Sequence, residues 1–344
     1  MKLYILVGVA GSGKSTFADN YINTTDEKGK IFSSDDYRVK MFGSSKEGNK
    51  KGNSSTVFNK MNKDLMREIR KSKKDILVYD ATNLTRKRRR ALYNNAKNWS
   101  KGEVEVRIVY FSLPLIELFE NNELRLRFEP EKYVPEDVIL RMYKTLQVPR
   151  IGVDCDNFEV VGKPMFDYDT LHLGLRNGLG FTKALHESSI KSMGGELDRL
   201  FESHDCEPYH LEDIDTHINM CVDSAWARDV DRGDWAKIIR ISQFHDLGKS
   251  ITKQMIEKDG VDRATYREHA NVSANYYLNY LNFMRRDFSL ESQMDITETI
   301  HQHMNAHNGL GEKNIRNNKL DENVIYLCEE FAKIDNKSRI RGVV

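Results

Sequence analysis

Short apolar runs alternate with amphipathic stretches along the first 150 residues of the chain. Continuous apolar runs at 3–8 and 76–79 predict buried strands, because a parallel strand covered on both faces shows no polar alternation. Shorter strand patterns occur at 30–33 and 103–111, and helical periodicity occurs at 14–22, 57–71, 85–99, 114–127 and 135–147. This order predicts an α/β domain in which a parallel sheet carries helices on both faces.

The pattern changes in the second part of the chain. Residues 151–205 resemble a connector, with a strand-like segment at 157–162 and many turn residues at 174–180. From residue 204 onward, long amphipathic helical patterns dominate and predict an all-α domain. We therefore predict an α/β domain at 1–160, a connector at 161–204 and an all-α domain at 205–344.

Charge is distributed unevenly between these two parts. The 344 residues include 53 Lys and Arg and 52 Asp and Glu, a net charge of +1. Residues 1–150 hold 30 basic and 19 acidic residues, a net of +11, and the remainder holds 23 and 33, a net of −10. All ten histidines lie in the acidic part. This division predicts two separate chemistries on one chain.

Cysteine spacing and hydropathy predict a cytoplasmic protein. No stretch approaches the roughly 20 apolar residues of a membrane span, so we expect no association with a membrane. The four cysteines (Cys155, Cys206, Cys221 and Cys328) show no CxxC spacing. This spacing favours free core thiols in a reducing compartment over a disulfide framework or a thiolate zinc site.

A glycine-rich segment follows the first predicted strand. Residues 8–15 read Gly-Val-Ala-Gly-Ser-Gly-Lys-Ser and match G-x-x-x-x-G-K-[ST] between a strand and a helix. In such a loop the backbone N–H groups face the phosphates, Lys14 reaches the β- and γ-phosphates, and Ser15 ligates Mg²⁺. We therefore predict ATP and Mg²⁺ as cofactors, bound by Gly8, Gly11, Ser12, Gly13, Lys14, Ser15 and Thr16.

Further polar residues follow the second and third predicted strands. In the segment Ser-Ser-Asp-Asp-Tyr-Arg, Asp35 can accept the proton of an attacking hydroxyl, and Arg38 can hold an acceptor phosphate one helical turn later. The alternative is that Asp35 only caps a helix that begins at Asp36. Asp80 closes the third strand, a usual place for a carboxylate near Mg²⁺. The basic run at 86–90 is either a solvated helix face or a phosphate-binding surface.

Together these segments resemble the 5′-kinase module of polynucleotide kinases. The resemblance covers most of residues 1–150 and rests on the loop GSGKST, the SDDYR box, the DATNL segment and the VPEDVILRMYKTL helix after an arginine-bearing lid. It implies that Asp35 is the general base and that Arg38 contacts the phosphate of the acceptor. It also implies a lid arginine that holds the transferring phosphoryl group. Of Arg125 and Arg127, we favour Arg125 from its distance along the chain to the Val-Pro pair.

Histidine and aspartate recur in the acidic part of the chain. His245 and Asp246 lie near the end of an apolar helical stretch at 238–247, where a buried pair is costly unless it is paired or binds a metal. Imidazole and carboxylate suit a divalent ion such as Mn²⁺, Ni²⁺, Co²⁺, Fe²⁺ or Zn²⁺. Neighbouring helix positions point about 100° apart, so other helices must supply the remaining ligands.

This spacing resembles the H…HD…D pattern of the HD phosphohydrolase superfamily, with HDLGK and the later segment FAKIDNKSR. The resemblance implies four metal ligands, namely His217, His245, Asp246 and Asp335. His210 competes with His217 for the first position. A second metal or a substrate phosphate would involve Lys249, His269 and one of His301 and His303, with His303 retained in the predicted site. We expect His172, His186 and His204 to be surface or core residues.

A 5′-hydroxyl kinase joined to a phosphohydrolase indicates the healing of nucleic-acid ends. The kinase would produce a 5′-phosphate, and the HD domain would remove 2′,3′-cyclic, 2′- or 3′-phosphates, leaving ends for a separate ligase. RNA is preferred over DNA because cyclic phosphates arise only beside a 2′-hydroxyl. The alternative is a nucleoside or small-metabolite kinase fused to an HD nucleotidase. A non-enzymatic ATP-dependent sensor is disfavoured by Lys14, Ser15 and Asp35.

Overall fold

The computed structural model describes residues 1–50, 52–71, 73–205, 210–227, 232–258, 260–283, 288–307 and 309–340. The chain divides into two compact units, Met1–Lys163 and Pro164–Val344. Residues 164–204, predicted as a connector, belong to the second unit, where they include two helices packed against each other. Cys206 lies outside the described residues.

A parallel sheet of five strands forms the centre of the first unit. Its strands are β1 (Lys2–Val7), β2 (Gly29–Ser33), β3 (Ile76–Asp80), β4 (Glu105–Ser112) and β5 (Asn157–Gly162), in the spatial order β2-β3-β1-β4-β5. Nearly every side chain of β1 and all those of β3 are buried, which explains why these strands have continuous apolar sequences. The predicted α/β class is confirmed for this part of the chain.

Helices connect the strands of this sheet. They are α1 (Lys14–Thr24), α2 (Ser34–Phe42), α3 (Ser45–Gly48), α4 (Asn53–Lys71), α5 (Arg86–Trp99), α6 (Leu115–Phe128) and α7 (Glu136–Thr145). Along α4, Val57, Met61, Leu65 and Ile69 recur every four residues and are buried, as expected for a helix packed on one face. Because the strands are parallel, the segments that follow β1, β2 and β3 leave the same edge of the sheet.

The basic run at 86–90 is divided between core and surface. Arg89 is buried, its Nε donates to Asp154 Oδ2 at 2.7 Å, and its guanidinium also donates to three backbone carbonyls. Arg86 is buried as well, whereas Lys87 and Arg88 are exposed. Neither alternative predicted for this run describes all of it, because two of its arginines anchor α5 to the rest of the unit.

Replacing Arg89 with alanine is expected to lower the free energy of unfolding of the first unit by about 3–5 kcal/mol. The buried carboxylate of Asp154 would lose its ionic partner. Arg88→Ala, on the exposed face of the same helix, is the matched control and should change the free energy by less than about 0.5 kcal/mol. Urea denaturation of the two variants measures the difference, and equal small changes would contradict a structural role for Arg89.

The second unit is mainly helical. Its helices are α8 (Tyr168–Arg176), α9 (Phe181–Met193), α10 (Ile214–Trp226), α11 (Arg232–Phe244), α12 (Lys249–Thr252), α13 (His269–Phe283), α14 (Leu290–Ala306), α15 (Glu312–Asn318) and α16 (Glu322–Lys337). Helix α11 contacts α10, α13, α14 and α16, and His245 and Asp246 directly follow its last residue, Phe244. Within the described part of the chain, no helix is both long and apolar enough to cross a membrane.

A two-stranded antiparallel sheet corrects the all-α prediction for this unit. Strands β6 (Gln254–Lys258) and β7 (Val261–Thr265) pair directly, and Gly260 between them has a φ of +75°. The sequence holds an Asp-Gly dipeptide at 259–260, which is a strong hairpin signal that the prediction overlooked.

Two candidate active sites

The loop between β1 and α1 encloses a buried cation. Gly13 caps α1 with a φ of +85°, a conformation that favours glycine. The Nζ of Lys14 donates to the carbonyl of Val9 at 2.7 Å and to Ser12 Oγ at 3.2 Å. Burial lowers the pKa of Lys14 to about 8, against the opposing effect of the Asp80 carboxylate. An anion bound in this loop would therefore stabilise the ammonium form.

Nucleotide affinity is expected to fall as the pH rises above about 8. In the free protein, Lys14 is protonated below this pH. A bound phosphate would keep the Lys14 ammonium protonated to a higher pH. The Kd for ATP should increase by up to about tenfold per pH unit above that point. Isothermal titration calorimetry measures it, with Lys14→Arg as a control whose side chain stays charged. A flat profile for the wild-type protein would contradict the prediction.

Two oxygen ligands lie together beside this loop. Ser15 Oγ donates to Asp80 Oδ2 at 2.7 Å. Burial raises the pKa of Asp80, while the Ser15 hydroxyl and the Lys14 ammonium act in the opposite direction. Hydroxyl and carboxylate oxygens are ligands that Mg²⁺ prefers, so the residues fit the predicted magnesium site.

Helix α2 places a carboxylate and a guanidinium one turn apart. Arg38 Nη1 donates to Asp35 Oδ1 at 2.6 Å and to Ser34 Oγ at 3.1 Å. The Asp35 side chain is 50% exposed, whereas that of Arg38 is only 12% exposed. The helix is capped by Ser33, whose Oγ accepts from the backbone N–H of Asp36. Capping therefore does not account for Asp35.

The lid helix α6 packs against the phosphate-binding loop. Asn121 Nδ2 donates to the carbonyl of Gly11 at 3.1 Å. One turn further along, the charge of Arg125 contributes to the lowered pKa of Lys14, whereas Arg127 is exposed. The charge of Asp35 acts on Lys14 in the opposite direction, so both Arg125 and Asp35 lie within electrostatic range of Lys14. The choice of Arg125 over Arg127 as the lid arginine stays a prediction, and the effect of the Arg125 charge on Lys14 agrees with it.

A second site lies inside the helical unit, centred on Asp246. Its Oδ2 lies 3.2 Å from His245 Nε2 and 3.5 Å from His217 Nε2. Its Oδ1 lies 3.2 Å from His269 Nε2 and 3.7 Å from His303 Nε2. The predicted ligands that meet here are His217, His245, Asp246, His269, His303 and Asp335, all of them buried.

The four imidazoles are oriented by hydrogen bonds to the backbone. Nδ1 of His245, His269 and His303 lies 2.7–2.9 Å from the carbonyl oxygen three residues earlier. Nδ1 of His217 lies 3.0 Å from the carbonyl oxygen of Ser338. Because a carbonyl only accepts, each Nδ1 carries a hydrogen, so Nε2 is the ring atom that each imidazole can offer to a metal ion. This is how metal-binding histidines are usually held.

Distances between the donor atoms fit metal coordination. Two ligands about 2.1 Å from one ion lie about 3.0–3.4 Å apart, depending on the coordination angle. His217 Nε2 lies 3.4 Å from His245 Nε2 and 3.1 Å from Asp335 Oδ1. His269 Nε2 lies 3.0 Å from His303 Nε2. The donor set therefore fits two divalent ions, with Asp246 within reach of both.

Two cations lie beside the carboxylates of this cluster. Lys249 Nζ is 2.7 Å from Asp246 Oδ2, and Arg339 donates to the two oxygens of Asp335 at 3.2 and 3.1 Å. Burial alone would raise the pKa of Asp246, but His245 and Lys249 hold it well below its usual range. The carboxylate of Asp246 is therefore ionised, as metal ligation requires.

The sequence offers two alternative pairs of candidate ligands, and one histidine of each pair lies in the cluster. His210 Nδ1 lies 2.6 Å from Glu212 Oε1. In contrast, His217 belongs to the described group of possible metal ligands that also contains His245 and Asp335. Likewise, His303 rather than His301 belongs to the described group that contains Asp246 and His269.

Sequence reasoning missed several side chains around the cluster. His204, predicted as a surface or core residue, is buried with its Nε2 3.1 Å from Lys249 Nζ. His307 Nε2 lies 2.5 Å from Asp335 Oδ2, which also accepts from Arg339. Arg339 follows Asp335 by four residues but lies just beyond the end of α16 at Lys337, so its return to the Asp335 carboxylate could not be predicted from helix periodicity.

Comparison with known families agrees with the geometry of the first unit. A family model described as an AAA domain matches residues 3–149. Together with the phosphate-binding loop, this match supports a P-loop kinase-like domain in the first unit, for which ATP and Mg²⁺ are the expected cofactors. A search of curated proteins finds no match.

Several solved structures are similar to part of the chain. A Pnkp1/Rnl/Hen1 complex is 28% identical, with a TM-score of 0.30, over 35% of this chain and 38% of that chain. The PezAT chromosomal toxin–antitoxin system of Streptococcus pneumoniae is 14% identical, with a TM-score of 0.35, over 47% and 68%. A gluconokinase from Sinorhizobium meliloti is 14% identical, with a TM-score of 0.30, over 56% and 94%. The chain thus spans well under half of the first of these proteins.

Proposed function

We propose that the chain is a bifunctional enzyme that heals RNA ends. The first unit would phosphorylate 5′-hydroxyl ends with ATP, and the second would remove 2′,3′-cyclic, 2′- or 3′-phosphates with divalent metal ions. The observation that carries this proposal is the presence of two chemically distinct sites on one chain, a loop with an acceptor-side Asp35–Arg38 pair and a buried histidine–aspartate cluster. A 5′-hydroxyl and a 2′,3′-cyclic phosphate are the two products of one RNA cleavage, and a separate ligase would join the healed ends.

In the kinase reaction, Asp35 accepts the proton of the 5′-hydroxyl as its oxygen attacks the γ-phosphorus of ATP. The new oxygen–phosphorus bond forms as the bond to the β,γ-bridging oxygen breaks, and ADP leaves. Lys14 and Arg125 stabilise the negative charge of the transferred group. Arg38 binds the phosphate that follows the 5′-nucleoside, which favours a polynucleotide over a free nucleoside as acceptor.

Replacing Arg125 with alanine is expected to lower the turnover rate of the kinase reaction by about 10²–10³-fold. The guanidinium would stabilise the charge on the transferring phosphoryl group. Arg127→Ala, two residues along the same helix, is the matched control and should change the turnover rate by no more than about threefold. Steady-state rates with ATP and a 5′-hydroxyl oligonucleotide measure both effects, and a larger loss in the Arg127 variant would reverse the assignment.

In the phosphohydrolase reaction, the buried cluster would hold divalent ions between its imidazoles and carboxylates. When bound, such ions activate water and neutralise the charge of a phosphate ester. The backbone hydrogen bonds of the imidazoles keep their Nε2 atoms directed inward. Lys249, which lies beside Asp246, is close enough to the cluster to bind a phosphate oxygen.

One substrate tests both halves of the proposal. The protein is given a 5′-hydroxyl RNA that ends in a 2′,3′-cyclic phosphate, with ATP and with Mn²⁺, Ni²⁺, Co²⁺ or Zn²⁺ in turn. We expect a 5′-phosphate and a 3′ end without phosphate, resolved by mass spectrometry. Phosphorylation of free nucleosides but not of RNA would favour a small-metabolite kinase instead. An unchanged 3′ end with every metal would refute the phosphohydrolase half.

A further inference from the structure

Helix α10 places a cysteine sulfur, in addition to the His217 imidazole, beside the histidine–aspartate cluster. Cys221 follows His217 by four residues, so the two side chains lie on the same helix face, and both are fully buried. Cys221 Sγ lies 3.7 Å from His217 Nε2, the ring atom that faces the cluster. Single donor atoms of His217, Cys221, His245 and Asp335 all lie within 4.8 Å of one another. The thiol is therefore placed at the cluster itself.

The sulfur–nitrogen distance matches that expected around a shared ion. With a metal–sulfur bond of about 2.3 Å, a metal–nitrogen bond of about 2.1 Å and a tetrahedral angle, the two atoms lie about 3.6 Å apart. The observed separation of 3.7 Å agrees with this value. His217 Nδ1 lies 3.0 Å from the carbonyl oxygen of Ser338, so Nε2 is the ring atom that faces the sulfur.

The other described cysteines have different surroundings. Cys328 is buried in an apolar cluster with Leu320 and Val324, and Cys155 is buried in the first unit. Among the described groups that could hold a metal, Cys221 is the cysteine that participates. Cys328 is therefore a matched control, being a buried thiol of the same unit outside the cluster.

We propose that Cys221 is a thiolate ligand of the ion held by His217, His245 and Asp335. On binding, the thiol loses its proton to solvent and a sulfur–metal bond forms without electron transfer. A soft thiolate makes this position selective for Zn²⁺ or Co²⁺ over Mn²⁺ or Mg²⁺. The inference rests on the proposed metal-dependent function of the same cluster, and it revises the expectation that these cysteines are only core thiols.

Cobalt absorption tests the ligand directly. The metal-free, full-length protein is titrated with Co²⁺ without oxygen. We expect visible bands from the bound ion together with a near-ultraviolet thiolate-to-cobalt charge-transfer band. Cys221→Ser should keep the visible bands and lose the charge-transfer band, whereas Cys328→Ser should keep both. A charge-transfer band that persists in Cys221→Ser would assign it to another thiol and overturn the proposal.

Two results separate this proposal from the function on which it rests. Visible cobalt bands without a charge-transfer band in the wild-type protein would overturn the thiolate ligand and leave the metal cluster standing. The absence of all cobalt bands would overturn both. X-ray absorption of the zinc-loaded wild-type protein needs no variant to fold, and we expect a sulfur neighbour at about 2.3 Å. A shell of nitrogen and oxygen alone would exclude Cys221.

Discussion

Replacing Asp246 with asparagine is expected to lower the catalytic efficiency of cyclic phosphate removal by at least about 10³-fold. Among the residues that the structure describes, Asp246 is the carboxylate whose two oxygens face both groups of imidazoles, with Oδ2 toward His245 and Oδ1 toward His269. Asparagine keeps the shape of the side chain but removes the negative charge that would hold two cations. The kinase activity of the same variant should be unchanged, because its residues belong to the other unit.

The matched control for this substitution is Asp223→Asn, an exposed carboxylate on the helix that carries His217. It should retain both activities. Metal content measured on the purified proteins gives a second readout, and we expect the Asp246 variant to lose at least one ion per chain relative to the control. Full phosphatase activity in Asp246→Asn would refute the proposed site.

Replacing Asp35 with asparagine is expected to lower the turnover rate of the kinase reaction by about 10²–10⁴-fold, the usual contribution of a positioned general base. The amide cannot accept the proton of the 5′-hydroxyl, although it can still accept a hydrogen bond from Arg38. Removal of cyclic phosphates by the same variant should be unaffected. Each of the two substitutions thus lowers one activity and leaves the other unchanged.

Asp36→Asn provides the control for Asp35, because it lies next in sequence and is exposed. Its turnover rate with ATP and a 5′-hydroxyl oligonucleotide should stay within about threefold of the wild-type value. If both variants lost activity equally, the effect would reflect the stability of α2 rather than proton transfer.

The fold of the first unit could be predicted because its signals are local. Apart from Lys2 at the start of β1 and Asp80 at the end of β3, these two strands have continuous apolar and aromatic sequences, and the glycines of the first loop stand directly between a strand and a helix. The role of Arg89 could not be predicted in this way. Its partner Asp154 lies 65 residues further along the chain, and a charged run looks the same in sequence whether it faces solvent or a buried carboxylate.

The candidate metal cluster was predictable only in part. The pair His245-Asp246 stands out because it interrupts an apolar helix, but nothing local distinguishes His303 from His301 or connects either to Asp246. No sequence motif marks Cys221, because thiolate metal sites are recognised in sequence by paired cysteines. Here a single sulfur lies beside imidazoles from distant segments of the chain. Which donors meet depends on how five helical segments pack, and that information is spread over the whole unit.

The main-chain acceptors of the four imidazoles also bear on how this cluster could change during evolution. Ser242, Tyr266, Ile300 and Ser338 each provide a carbonyl oxygen that is present whatever side chain occupies the position. Mutational drift at these positions would preserve ring orientation as long as the backbone keeps its path. Selection on this cluster can thus act on the donor residues themselves, while the sequence that supports them diverges.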